Sequence, residues 1–520
     1  MAPIGRLAAL LVCFFLLYVA APSSASGHGF LQCLTTSIPS DLVLTQKSPS
    51  FEPVLVSSIR NARQLGPAKA SPPLAIVTPT TASHVRSSVL CSVRHGVRIR
   101  VRSGGHDYEG VSYRSTFSHE PFAVLDLFNL HSVRVDAAAA TAWVDSGASI
   151  GELYYAIAKA APGLAFPAGV CPTIGVGGHF SGGGIGLMMR KYGLSADNVI
   201  DATIVDATGN LLEGKAAIGE DLFWAIRGGG GGSFGIVLSW KVRLVPVPPK
   251  ITFFDVGKTI EQGAAGVLTK WQTVAPALPD DLSIRAVVLN RTVRFQGLYL
   301  GPQHEALRIT NDKLPELGAT AKDSRELSWV QYTAYIYFGD TATPLEALLN
   351  RTFPVGSFLK HKSDYVKTPI PEATWEKILS WPFGGATDGQ IILEPHGGRV
   401  GAAVPDDETP FPHRAGVLYN IQYVEVYPAN LSTSPPSWVS GLYDFVEPLV
   451  SSNPRSAYVN YRDLDIGVNK DGVASYESAK VWGERYFGAA NFLRLARIKA
   501  KVDPENHFRH EQSVPPLLNY

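Results

Sequence analysis

The placement of glycine constrains this chain more than any other feature. Residues 169–186 read GVCPTIGVGGHFSGGGIG, and two further clusters read RSGGHDYEG (102–110) and RGGGGGSFGIV (227–237). Glycine at this density is costly in backbone entropy, so it marks places where another backbone or a ligand approaches closely. The 49 glycines among 520 residues are clustered rather than spread, which points to a site and not to disorder.

Around the clusters the chain alternates. LAIVTP reads as a short strand, TASHVRSSVLCSVRHG as a helix with Val85, Val89 and Val93 at helical spacing and Gly96 as its stop, and VRIRVR as a strand with an arginine-rich face. SIGELYYAIAKAAPG predicts a helix capped by Ser149, NVIDATIVDATGNLLEG a hairpin, and FGIVLSWKVRLVPVPP a long strand closed by prolines. Beyond the proline-rich residues 244–249, strands such as SIRAVVL and VRFQGLYL alternate with helical stretches such as PLEALLNRTF. YESAKVWGERYF and NFLRLARIKAKVDP then read as helices. The expected organisation is α+β, with an amino-terminal module over 27–246, a middle insertion over 247–470 and a carboxyl-terminal return over 471–520.

An early arginine followed by LAALLVCFFLLYVAAPSSASG reads as a secretory signal peptide covering 1–26. The apolar run is short for a membrane span and no second one follows, so no membrane anchor is expected. Sequons at Asn290, Asn350 and Asn430 suit a glycoprotein on the secretory route, extracellular or vacuolar. Cleavage removes Cys13 and leaves Cys33, Cys91 and Cys171, an odd number for an oxidising compartment. Cys33 and Cys91 could tie the amino-terminal segment to the body. Cys171 would then be free, paired to another chain or committed to other chemistry. Losing Arg6 takes Lys+Arg from 46 to 45 against 45 Asp+Glu, a balance that offers no basic patch to nucleic acid or an anionic membrane. A monomer acting on a small molecule is expected.

Two familiar patterns fail on context. Gly230, Gly232 and Gly235 match G-x-G-x-x-G, but a dinucleotide fingerprint opens a helix, and IVLSWKV continues as a strand. GGSFG matches G-x-S-x-G and fails as a nucleophile elbow for the same reason. RSGGHDYEG is more telling, because its glycines follow a strand, their N–H groups can form an anion nest, and Arg102 and Ser103 add donors suited to phosphate. The N–H groups from Thr173 to Gly178 offer a second nest. Two nests without Lys-Ser/Thr or metal-ligand spacing suggest a diphosphate held by backbone and no metal. His106 and Cys171 stand one in each nest, like two attachment points on one cofactor. An inert buried thiol, a nucleophile paired with His179 and a metal ligand are the other readings of Cys171.

RSGGHDYEG, GVCPTIGVGGHFSGGG, DNVID, FWAIRGGGGGSFGIV, NYRDLDIG, WGERYF and EQSVPP together closely resemble the berberine bridge enzyme-like family, plant members of the p-cresol methylhydroxylase-type flavoproteins. The resemblance runs from about Cys33 to Pro516, and YLGPQ, SWVQ and TPFPHR resemble the grass-pollen group 4 allergens within it. It implies a two-part FAD-binding domain of the p-cresol methylhydroxylase/vanillyl-alcohol-oxidase type, with an inserted substrate domain of antiparallel sheet covered by helices. It also implies FAD attached twice, through His106 to the flavin 8α carbon and through Cys171 to C6. Cofactor contacts are then expected from Arg102, Ser103, Gly104, Gly105, Asp107, Thr173, Gly175, Val176, Gly177, Gly178, His179, Gly182, Ile236 and Val237. His179 is expected beside the flavin N1–C2 carbonyl.

The resemblance places Tyr461, in NYRD, at the family's catalytic tyrosine, which acts as a base only if its pKa, ordinarily about 10, is lowered. Gln422 stands where the founding enzyme has a glutamate base. Glutamine cannot act as a base, so ring-closing chemistry is not expected. Tyr108 joins the pocket. Ile185 and Asn420 stand where relatives that oxidise aromatic alcohols often carry tyrosine and lysine, which favours a carbohydrate or other hydroxyl substrate over a monolignol. Ile174 fills the position that gates oxygen, where valine goes with oxidases, and so implies a dehydrogenase using another electron acceptor. The expected reaction is alcohol oxidation, with Tyr461 taking the hydroxyl proton while hydride passes to flavin N5. The competing reading is a flavin-loaded storage or defence protein whose catalysis has lapsed.

Overall fold

The computed structural model describes residues 23–65, 72–117, 120–352, 356–381, 388–401, 404–428, 437–470 and 474–518. The predicted leader lies outside these residues up to position 22, as does the sequon at Asn430. Asn290 and Asn350 are both exposed.

The first layer is a four-stranded sheet in the order Val43–Thr45, Ala75–Val77, Phe122–Asp126, Arg98–Arg102, with the last three parallel. The helix Ala82–His95 crosses between two of its strands. The Thr81 hydroxyl caps it by accepting from the His84 N–H at 3.3 Å, and Gly96 ends it in the left-handed region. Val85 and Val89 are buried as expected, but Val93 is 50 % exposed. Each i+4 step turns a further 40° about the axis, so the third valine leaves the face that Ser88 and Ser92 keep. The disulfide Cys33–Cys91 joins the helix Ser23–Ser37 to this one, with Cα atoms 5.7 Å apart, and Cys171 is free.

The arginine-rich face of Arg98–Arg102 is not a solvated one. Arg100 reaches Glu511 at 2.6 Å and Arg102 reaches Asp126 at 2.6 Å, all four buried. A charge removed from water needs such a partner. A five-stranded antiparallel sheet follows, in the order Val133–Asp136, Thr141–Asp145, Ile236–Arg243, Val199–Val205, Leu211–Glu213. The helix Ile150–Ala160 carries a complete capping box between Ser149 and Glu152.

The third sheet is antiparallel and seven-stranded: Ser324–Leu327, Ile251–Thr259, Thr292–Tyr299, Leu282–Leu289, Asp388–Pro395, Tyr419–Pro428, Ser357–Val366. Side chains alternate across it. Ile284, Ala286, Ile391, Leu393, Ile421 and Tyr423 join Trp271, Trp375 and Trp438 of the covering helices in one core. Their neighbours Arg285, Ile392, Glu394 and Gln422 face the other way. The stretch PLEALLNRTF gives only a short 3-10 turn, Leu345–Leu349. The carboxyl-terminal helical run Tyr476–Val502 is broken at Gly488, which has φ +69°. It returns to the amino-terminal module, where buried Lys499 donates to the carbonyls of Ser233 and Phe508 and to Asp503. The architecture is α+β, with the seven-stranded antiparallel sheet inserted between the amino-terminal module and the carboxyl-terminal return. Among the described residues, no helix is long and apolar enough to cross a membrane.

Candidate active site

One cavity of about 340 Å³ is lined by all three glycine clusters and by the inner face of the seven-stranded sheet. Ser103, Gly104, Gly105, His106 and Asp107 come from the first cluster, Cys171, Gly175, Gly177, Gly178 and His179 from the second, and Gly231, Gly232 and Gly235 from the third. The first two clusters meet back to back. A Cβ on Gly104 would lie 2.3 Å from the Gly175 nitrogen, so neither loop admits a side chain there. Gly178 has the opposite reason for being glycine: outside its own helix a Cβ would meet nothing within 4 Å, because it borders the cavity.

His106 and Cys171 converge. The Nε2 of His106 is 2.8 Å from the Thr173 hydroxyl, and the Cys171 Sγ is 3.4 Å from the same oxygen. Burial, reinforced by the nearby Arg60 cation, lowers the His106 pKa to about 3, and burial lowers that of His179 to about 4. Both rings are therefore neutral at neutral pH. The His179 Nε2 accepts from the Gly169 N–H at 3.1 Å, which puts its proton on Nδ1 as a donor.

Tyr108, Tyr458 and Tyr461 form an aromatic group on the cavity wall. The Tyr461 ring is 4.9 Å from Tyr458, edge-on, and 6.5 Å from Tyr108. The Gln422 amide donates to the Tyr108 hydroxyl at 3.3 Å. Asn460 seats the tyrosine loop on the second cluster by donating to the His179 carbonyl at 3.0 Å and to the Tyr458 hydroxyl at 2.9 Å. Burial raises the Tyr461 pKa well above the usual phenol range, and Glu394, Tyr108, Tyr458 and Tyr365 push the same way. No cation among these causes favours the phenolate. Ile174, Ile185, Ile236 and Val237 complete the apolar part of the lining.

Several expected contacts fall elsewhere. Arg102 faces away from the cavity: it pairs with Asp126 and donates to the carbonyls of Val54 and Leu55, both at 2.7 Å. Its donors serve the fold, not a phosphate. The N–H groups of Val176 and Gly177 donate to the Ala148 and Ser146 carbonyls at 2.9 and 3.3 Å, so the second nest offers fewer free donors than the sequence suggests. Val176 packs into the core, and Gly182 is glycine because a Cβ would lie 2.0 Å from the Asn460 Oδ1. Thr173 bridges His106 and Cys171 from behind the lining, and Asn420 is buried outside the lining, on the same strand as Gln422.

Besides Tyr458 and Asn460, sequence reasoning missed Arg285 and Glu394. They line the cavity on adjacent strands, the guanidinium 3.7 Å from the carboxylate Oε1, while Glu394 Oε2 is buried without a hydrogen-bond partner. Burial raises the Glu394 pKa and Arg285 opposes it. In SIRAVVL and IILEP each is the lone charged residue in an otherwise apolar stretch, which was the available signal.

Three glycine loops lining one cavity, with a neutral imidazole and a free thiol flanking one hydroxyl on its wall, fit a flavin dinucleotide. The chain matches the family model described as FAD binding domain over residues 73–215, and the model described as Berberine and berberine like over 457–515. It is 55% identical to "Berberine bridge enzyme-like Cyn d 4" of Cynodon dactylon over 94% of this chain and 93% of that one. It is 46% identical to "Tetrahydroberberine oxidase" of Berberis wilsoniae over 96% and 95%. Among solved structures, wild-type Phl p 4.0202, described as a glucose dehydrogenase, superposes with a TM-score of 0.91 at 50% identity, over 94% of this chain and 100% of that one. An isoleucine-to-valine variant of the same pollen protein is described as a glucose oxidase. The protein is an FAD-dependent oxidoreductase. Within that class it belongs to the berberine bridge enzyme-like family.

Proposed function

We propose that the protein is a secreted oxidoreductase that oxidises a hydroxyl group of a sugar-like substrate, with FAD held covalently by His106 and Cys171. The observation that carries the reading is the single cavity lined by His106, Cys171, Tyr108, Gln422, Tyr461 and Glu394. Bound there, FAD supplies the two-electron acceptor for the substrate carbon. The diphosphate would be held chiefly by backbone from the glycine clusters, and His179 would offer its Nδ1–H to developing negative charge.

The proton follows a different route from the one the motif alone suggests. Tyr461 sits among groups that oppose its ionisation, so it does not store a negative charge. It orients the substrate hydroxyl and passes its proton on. Glu394, a buried carboxylate with an unpaired oxygen and a raised pKa, is the group able to keep that proton. The substrate loses its O–H proton to Glu394 and a hydride from carbon. The product is a carbonyl, or a lactone where the substrate is a cyclic aldose.

Polar groups at the far wall and isoleucine at 185 suit a hydroxyl-rich substrate better than a phenolic one. The glucose activity described for Phl p 4 supports this, and its oxidase variant supports Ile174 as the residue that keeps oxygen reactivity low. The disulfide Cys33–Cys91 supports secretion. The test is anaerobic mixing of the purified yellow protein with glucose, other aldoses and aromatic alcohols. Bleaching by aldoses, with slow recovery of colour in air and fast recovery with a quinone dye, is expected. A protein that no hydroxyl compound bleaches would overturn the reading.

A further inference from the structure

One ionic cluster, buried except at Asp465, joins the loops that carry Tyr108 and Tyr461 to the strand that carries His361. Lys360 and Lys362 lie on the edge strand Ser357–Val366 and are 8% and 5% exposed. The Lys360 ammonium donates to Glu109 and Asp463, both at 2.8 Å, and lies 2.9 Å from Asp465. Lys362 donates to Asp463 at 2.8 Å and Asp465 at 2.9 Å. Arg462 and Asp107, 3.7 Å apart, tie the two loops to each other. Asn61 adds a neutral link: its amide donates to the Tyr108 and Leu359 carbonyls, both at 2.9 Å, and its oxygen accepts from the Leu359 N–H at 3.0 Å.

The charged residues interleave with residues of the site. Glu109 follows Tyr108, Arg462 follows Tyr461, and Lys360 and Lys362 flank His361. The His361 ring stacks on Tyr108 with centroids 3.5 Å apart and planes 3° from parallel. On the strand, successive side chains point to opposite faces, so the two lysines leave His361 on the face that meets Tyr108. Burial would lower the Lys360 pKa, yet Glu109 and Asp463 reverse this and hold it above the usual lysine range. Ion pairs of this kind are weak stabilisers compared with apolar packing, but they fix geometry.

We propose that Lys360, Glu109 and Asp463 are positioning residues that set Tyr108 and Tyr461 relative to the cofactor site across the junction of the two sheets. The proposal rests on those tyrosines standing at the reacting centre. The cluster acts on the rate of the chemical step and not on cofactor attachment. A displacement near 1 Å at a reacting centre costs up to about a hundredfold in rate.

The experiment compares wild type with Lys360→Met, Glu109→Gln and the double variant. Four readings are taken: yellow colour in the acid pellet, visible circular dichroism of the bound flavin, limiting rate of reduction by an aldose, and melting temperature. The expected result is retained colour, an altered flavin dichroism and a limiting rate lowered about tenfold to a hundredfold, with the sugar concentration for half-saturation little changed. The double variant should be no slower than the slower single one, since both break the same link. Dichroism and limiting rate within about twofold of wild type would overturn the proposal, whatever the melting temperature does. Should Lys360→Met fail to accumulate, Glu109→Gln carries the same comparison. The dichroism needs no substrate, so it decides the role of the cluster even if no hydroxyl compound reduces the wild type.

Discussion

Glu394 stands 3.7 Å from Arg285 at the end of the cavity lined by Tyr461, with one carboxylate oxygen left unpaired. The arrangement gives the cavity a proton acceptor that a tyrosine with a raised pKa cannot be. Glu394→Gln should therefore slow flavin reduction by the substrate by about a hundredfold while colour and fold are kept. Arg285→Leu should move the acid limb of the pH–rate profile upward, because the guanidinium opposes the burial that raises the Glu394 pKa. Stopped-flow reduction across pH 5 to 9 reads both. A rate unchanged in Glu394→Gln would return the proton to Tyr461.

The convergence of His106 and Cys171 on the Thr173 hydroxyl predicts two independent covalent links. His106→Ala and Cys171→Ala should each keep yellow colour in an acid-precipitated pellet, and the double variant should release it to the supernatant. A wild-type pellet without colour would rule out covalent attachment through either residue.

Gly104 and Gly178 should fail in different ways. Gly104→Ala places a Cβ 2.3 Å from backbone and should destabilise the protein by several kcal/mol, beyond about 3. Gly178→Ala occupies a helical position facing open space, so the melting temperature without cofactor should hold or rise slightly while flavin content falls. Melting curves and absorbance of purified protein separate the two.

Acid should destabilise the protein well above the carboxylate range. Burial first of all lowers His361, His396 and His413 to about 3 and His507 to about 4. Between pH 6.5 and those values the unfolded chain binds protons that the folded one does not, so stability falls as pH falls through that window. Each such histidine contributes a loss of about 1.4 kcal/mol per pH unit there. Denaturant midpoints measured from pH 7 to 4.5 should decline steadily. A flat profile would mean that these rings are not held neutral.

Much of the fold could be read locally. The Ser149 cap, the stop at left-handed Gly96 and the hairpin of NVIDATIVDATGNLLEG are short-range features, and the structure keeps them. The drift of Val93 out of the helix core and the burial of Arg100 and Arg102 were not legible, because each depends on what packs opposite. Arg102 looked like a phosphate ligand beside a glycine loop until Asp126, from the neighbouring parallel strand, claimed it.

What the sequence determined by itself was the set of parts carried by contiguous motifs: the glycine clusters, His106 and Cys171 within them, Tyr461 in NYRD, and the family to which they belong. Such motifs are legible because a loop's backbone and its own side chains are contiguous in the chain and reach the cavity together. Tertiary structure alone decided the opposite wall. Arg285 and Glu394 lie on different strands from Gln422, which the resemblance had named, and only the register of the seven-stranded sheet sets Ile392 against Gln422 and turns this shared face to the cavity. A period of two tells which residues share a face, but the pairing of distant strands decides what that face meets.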